Sequence, residues 1–169
     1  STAGFLFDAS GPSIFNDDPR LLKGLLGFLC SRVSSIILKL LNSSFHVQAG
    51  DISRVPWNPA LVSDALVERV SDCATLARAD WDNFETSWDF RDQPLLRPGL
   101  KGATLEASWR NWEAQSTAAI RRMQELETEN NRLFIAAYNL DGELQPEVPE
   151  AQITLARAEA RRDMAAFLS

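Results

Sequence analysis

Few side chains in this sequence have a type and spacing that could run chemistry. The one histidine, His46, lies on a stretch where apolar and polar residues alternate. A lone imidazole there, with no nucleophile or carboxylate patterned beside it, reads as a packed or surface residue and not as a general base. Carboxylates are denser at Asp80, Asp82, Glu85, Asp89 and Asp92, interleaved with Trp81, Phe84, Trp88 and Phe90. A hard cation would want such oxygens around a tight glycine-bearing loop, which this stretch lacks, so no metal is expected. Glu125, Glu127 and Glu129 share a helical stretch with Arg121, Arg122 and Arg132, the pattern of a solvated, ion-paired face. A glycine-rich phosphate loop, a His/Cys ligand set and a Ser/His/Asp set are all missing from the sequence. What is left is electrostatic: Arg20, Lys23, Arg32, Lys39 and Arg54 are candidates for contact with DNA phosphates, or else plain surface charge.

The balance of charge limits that reading. The 169 residues carry a net charge of −6, which excludes a nucleic-acid platform covering the whole surface. Residues 1–55 hold five basic and four acidic side chains, whereas the remainder holds 12 and 19, so any contact with DNA is expected at the front. A hydrophobic content of 45% and a charged content of 24% fit a folded globular chain. Cys30 and Cys73 lie in apolar helical patterns without a disulfide framework, which points to a reducing, cytoplasmic compartment. The apolar run from Leu21 to Leu41 is interrupted by Lys23, Arg32, Lys39 and several serines; it reads as a buried helix, and no membrane partner is expected.

The elements that must position these residues follow from periodicity. From Thr104 to Tyr138 no Gly or Pro occurs, and Leu105, Trp109, Trp112, Ser116, Ala119, Met123, Leu126, Asn130 and Leu133 alternate steps of four and three. That spacing predicts one long helix with a packed seam. Asn130 in the seam either fixes register or caps a neighbouring loop. Leu66, Val70, Cys73, Ala77, Trp81, Phe84 and Trp88 repeat the spacing after the cap-plus-proline pair Asn58-Pro59 and supply a partner helix over about 59–88. Further forward, Gly4–Asp8, Ser13–Phe15, Phe45–Ala49 and Ile52–Pro56 read as strands or extended pieces around a helix from Asp18-Pro19 to about Asn42. The expectation is a mainly helical α+β chain. It comprises a strand-helix-strand unit over 1–57, an antiparallel helical hairpin over 58–140 with helices at about 59–88 and 104–138, and an extended linker opening a last helix over 141–169. The abrupt start and finish suggest a segment of a longer polypeptide.

Several phrases in order resemble one family. They are Gly4-Phe5-Leu6-Phe7-Asp8 with Ser13-Ile14-Phe15, Leu25 to Ser31, Val47-Gln48-Ala49-Gly50-Asp51-Ile52, Asp80 to Phe90, Glu129 to Tyr138, Leu144 to Pro149 and Ile153-Thr154-Leu155. Together they resemble the carboxy-terminal part of the large adenine-specific DNA methyltransferases of bacterial phage defence, the PglX type of BREX loci, and related fused restriction-modification enzymes. In that family an Asn-Pro-Pro-aromatic tetrad and a cofactor loop lie upstream; here Asn58-Pro59-Ala60 lacks the second proline and the aromatic. The resemblance therefore implies a non-catalytic piece, the end of a target-recognition region followed by a helical spacer. It implies S-adenosylmethionine as cofactor of the parent enzyme only, and double-stranded DNA as the partner. The alternative is a protein-interaction module that binds another protein of a defence complex, or a phage inhibitor, without touching DNA.

Overall fold

A computed structural model describes residues 13–42, 47–160 and 165. Five α-helices occur among them: α1 (Pro19–Leu29), α2 (Arg32–Leu41), α3 (Ala49–Ser53), α4 (Asp64–Trp81) and α5 (Leu105–Ala137). The expected α+β class is overturned, because no strand occurs among the described residues. Ser13–Phe15 is irregular, and Ala49, Ile52 and Ser53 are helical. Gly4–Asp8 and the Phe45–His46 part of the other expected strand lie outside the described residues. The physical reason for α3 is an N-terminal cap: the Asp51 carboxylate accepts the Gln48 backbone N–H at 2.9 Å and the Asn42 side-chain amide at 2.7 Å. A few alternating residues cannot outweigh such a local closure.

The helix expected from Pro19 to about Asn42 is two helices, bent by 73° at Cys30–Ser31. Ser31 makes the break. Its hydroxyl donates to the Phe28 carbonyl at 2.7 Å and accepts the Ser34 N–H at 3.3 Å, closing α1 and capping α2 with one side chain. No single helix among the described residues is long and apolar enough to cross a membrane.

The chain divides into two compact units, Ser1–Ser71 with Glu129–Pro146, and Asp72–Thr128 with Glu147–Ser169. In the first unit α1, α2, the start of α4 and the end of α5 enclose Phe28, Val33, Val55, Leu66, Val70, Phe134 and Ile135. Phe28 is the centre: it is fully buried, edge-on to Phe134 at 5.3 Å, stacked on Tyr138 at 5.6 Å and tilted against Trp57 at 5.5 Å. α5 closes there with Asn139 at φ 56°, the Asn139 N–H on Ala136 O and the Leu140 N–H on Ile135 O. This is the left-handed stop that the Asn139-Leu140-Asp141-Gly142 run anticipates.

In the second unit the rest of α4 and α5 hold an extended segment against themselves. Gln124 Nε2 donates to Val148 O at 2.7 Å, Ser116 Oγ donates to Ala156 O at 2.9 Å, and both Asp80 carboxylate oxygens accept the Ala156 N–H at 3.1 Å. Val148, Ile153 and Leu155 are thereby buried with Ile120 and Met123. α4 is shorter than the expected 59–88. Asn58-Pro59 opens only a single 3₁₀ turn, Pro59–Leu61, and the helix proper starts behind Ser63, whose hydroxyl accepts the Leu66 N–H. It ends at Trp81, and Trp81 and Trp88 are 56% and 83% exposed, outside the packed seam.

Close packing of α1 yields a test. A Cβ on Gly27 would lie 2.8 Å from Val70 Cγ2 and 3.2 Å from Asn130 Oδ1, whereas one on Gly50 meets nothing within 4 Å. Gly27→Ala is expected to lose about 1–2 kcal/mol of stability through overpacking against a stiff β-branched side chain, despite alanine's better helix propensity. Gly50→Ala is expected to be neutral or to gain up to about 1 kcal/mol. Urea denaturation followed by circular dichroism compares them, and a stabilised Gly27→Ala would contradict this packing.

Candidate nucleic-acid interface

All five basic candidates belong to the first unit, but the helices place them at three different positions. Arg20 and Lys23 lie one turn apart on α1, and both are engaged by α4. Arg20 Nη2 is 2.6 Å from Asp64 Oδ1, and Lys23 Nζ donates to Ser71 Oγ at 2.7 Å from a half-buried position. Arg32 opens α2 at the bend, with its side chain half-buried. Lys39, in the last turn of α2, and Arg54, the residue that closes α3, are exposed and flank the link between Asn42 and Asp51. Arg20 is exposed as well but ion-paired with Asp64; Lys39 and Arg54 are exposed at the α2–α3 corner.

That corner is fixed by Asp51. Its carboxyl is held below the ordinary value of 3.8, first by the Gln48 N–H and then by the Asn42 amide, with the Arg54 charge adding to the effect. The corner therefore keeps one anion beside its two cations at neutral pH, which lowers the field available to a phosphate.

The bend that carries Arg32 is organised by two neighbouring amides of α5. Asn130 Nδ2 donates to Gly27 O at 2.8 Å in the interior, and Asn131 Oδ1 accepts the Arg32 N–H at 2.9 Å while its Nδ2 donates to Pro146 O at 3.1 Å. The Asn130 contact is with a carbonyl in the last turn of helix α1, not with a loop. Asn131, which the periodicity passes over, carries the larger share of the connections. Its signal in the sequence is the pairing of two poor helix formers deep inside a long helix.

The seam residues are distributed over both units. Leu105 and Trp109 are half-buried and Trp112, Met123 and Leu126 are buried in the second, while half-buried Leu133 packs in the first. The acidic and aromatic stretch after Asp80 is a folded turn. Ser87 Oγ donates to Asp82 Oδ1 at 2.6 Å, and Arg97 Nη1 donates to Asn83 Oδ1 at 2.8 Å.

Asp51 supplies a pH prediction. Because its folded pKa is depressed, its contribution to stability is present above 3.8 and is lost as pH falls through the lower folded value. Carboxyl-carbon NMR should find Asp51 titrating below 3.8, and Asn42→Ala should move it upwards. An Asp51 that titrates at or above 3.8 in the unmodified chain would contradict this geometry.

Comparison with known proteins adds the following. No protein-family model matches the chain. It is 34% identical over 172 aligned residues, covering 100% of its length, to adenine-specific methyltransferase PglX of Lacticaseibacillus casei (strain Zhang). It is 27% identical over 112 residues, covering 65% of its length, to adenine-specific methyltransferase BrxX of Escherichia coli O9:H4 (strain HS). The chain spans only 14% and 9% of the lengths of these two relatives.

Proposed function

From its full-length homology to one region of PglX-type adenine-specific methyltransferases of the BREX kind, we propose that this chain is a non-catalytic DNA-recognition and spacer segment. The single observation that carries this is the homology along the whole chain, taken with a sequence in which neither an Asn-Pro-Pro-aromatic tetrad nor a glycine-bearing cofactor loop occurs. S-adenosylmethionine and the transferring residues then belong to the remainder of the parent enzyme. This segment would support the DNA while methylation proceeds elsewhere, in the service of phage defence.

Charge placement narrows the proposed contact to Lys39 and Arg54. Arg20 already faces Asp64 and Lys23 already donates to Ser71, so using them would break contacts within the unit. Phosphate contacts position a protein on a duplex without reading bases, which suits a supporting segment. A second reading, a protein-interaction module, is favoured by one feature: Trp81 at the end of α4 and Trp88 in the turn that follows are both exposed.

Salt-dependent binding to duplex DNA separates the two readings. Lys39→Glu and Arg54→Glu should each weaken binding roughly uniformly across sequences and lower the slope of log affinity against log salt by about 1. No binding at low salt, or affinity unchanged in both variants, would remove the DNA-support reading. Capture of a defence-complex protein that is lost in Trp88→Ala would then favour the second.

A further inference from the structure

We propose that a cavity in the second unit binds a small ligand that joins an anionic group to an apolar body, with Arg97 taking the anion. The cavity encloses about 350 Å³, within the size range of small-molecule sites, and the DNA-support reading makes no use of it. Leu76, Trp112, Ala119 and Leu155 supply an apolar wall, of which Trp112 and Leu155 are buried.

Arg97 lines the same cavity from a half-buried position. Its Nη1 donates to Asn83 Oδ1 at 2.8 Å and its Nη2 donates to the Asp92 carbonyl at 3.2 Å. Both acceptors are neutral, so they orient the guanidinium without cancelling its charge. These two bonds leave N–H groups of the five-donor fork for a further acceptor. No carboxylate forms an ion pair with Arg97 among the described residues.

The other charged groups at the wall are committed differently. Arg122 is paired with Asp72 at 3.4 Å and with Glu125 at 3.5 Å, and both oxygens of Asp80 accept the Ala156 N–H. Arg97 is therefore the cation of this wall that no carboxylate pairs among the described residues. The Asp80 carboxylate on the same wall is not neutralised by the Ala156 N–H and opposes an anion placed next to it. A preorganised guanidinium favours the paired oxygens of a carboxylate or phosphate. A ring or short aliphatic body attached to that anion would bury the apolar wall. A bare anion leaves the wall unused and a neutral ring leaves the charge unmatched, so the ligand class combines the two.

The test titrates the 169-residue chain with phenyl phosphate, benzoate, inorganic phosphate and benzyl alcohol, read by proton–nitrogen NMR that includes the Arg97 side chain. At least one of the two aromatic anions should saturate shifts at Arg97, Asn83 and Trp112, at least about tenfold more tightly than inorganic phosphate or benzyl alcohol. The better of the two identifies phosphate or carboxylate as the preferred group. Arg97→Gln should weaken that binding at least about tenfold, and so should Ala79→Leu, which fills the cavity from α4 without altering Arg97. Should Arg97→Gln fail to fold, Ala79→Leu still decides. Absence of saturation at millimolar concentrations, equal binding of inorganic phosphate, or undiminished binding in Ala79→Leu would each overturn the proposal. Lys39 and Arg54 lie in the other unit, so the outcome of the DNA experiment is read separately.

Discussion

The turn from α1 into α2 depends on two adjacent amides, Asn130 and Asn131. A bend of 73° inside an apolar run exposes carbonyls at the end of one helix and N–H groups at the start of the next, within a core that admits little water. Ser31 satisfies part of this locally. Asn130 covers the Gly27 carbonyl and Asn131 the Arg32 N–H, and Asn131 also holds the Pro146 carbonyl, which brings the chain after α5 back onto the same place. Gly27 has to be glycine-sized for that approach, since a Cβ there would crowd both Val70 and the Asn130 amide. The Phe28 cluster then forms around a corner whose exposed backbone groups at Gly27, Arg32 and Pro146 are matched by these amides. Asn130 Oδ1 and Ser34 Oγ stay buried without a hydrogen-bond partner, a cost of about 1–3 kcal/mol each that the remaining contacts must offset.

This arrangement explains what the sequence shows and what it hides. Long helices announce themselves: α5 runs Leu105–Ala137 against an expected 104–138, because thirty-odd residues of four-three spacing admit no other regular structure. The Asp18-Pro19 start and the Asn139 stop are equally legible, since each needs only its own few residues. The α1–α2 bend is not legible in this way. A run apolar around much of its girth reads as one buried helix, yet it is two helices, each with its own face: Gly24, Gly27 and Phe28 buried on α1, Val33 and Ser34 on α2. The amides that permit the break are about a hundred positions downstream, where no local pattern points back to them.

The same distinction between local and distant contacts accounts for the overturned strands and for the short α4. Alternation over four or five residues is weak evidence against a carboxylate that closes a helical turn, and Asp51 closes one. In α4 the apolar spacing continues formally through Trp81, Phe84 and Trp88, but the Asp80 carboxylate is drawn to the Ala156 N–H, and the residues after Trp81 turn into the loop. There Ser87, Asp82, Asn83 and Arg97 bind one another. Of the acidic residues in this stretch, Asp80 accepts the Ala156 N–H and Asp82 accepts the Ser87 hydroxyl.

Charge shows the limit of sequence reading most clearly. Five basic residues against four acidic ones in the first 55 make the front the place where any DNA contact is expected, since the count is local. Their partners are not local: Asp64 is 44 positions beyond Arg20, and Ser71 is 48 beyond Lys23. Folding thus engages the two α1 candidates with α4, and Lys39 and Arg54 are left exposed, Arg54 near an Asp51 carboxyl held below its ordinary value. Under the proposed DNA-support reading, a segment whose first unit displays so few unengaged cations would contribute modestly to DNA affinity through phosphate contacts. In the proposed supporting role, therefore, the rigidity of the Asn130–Asn131 corner matters more than the number of basic side chains.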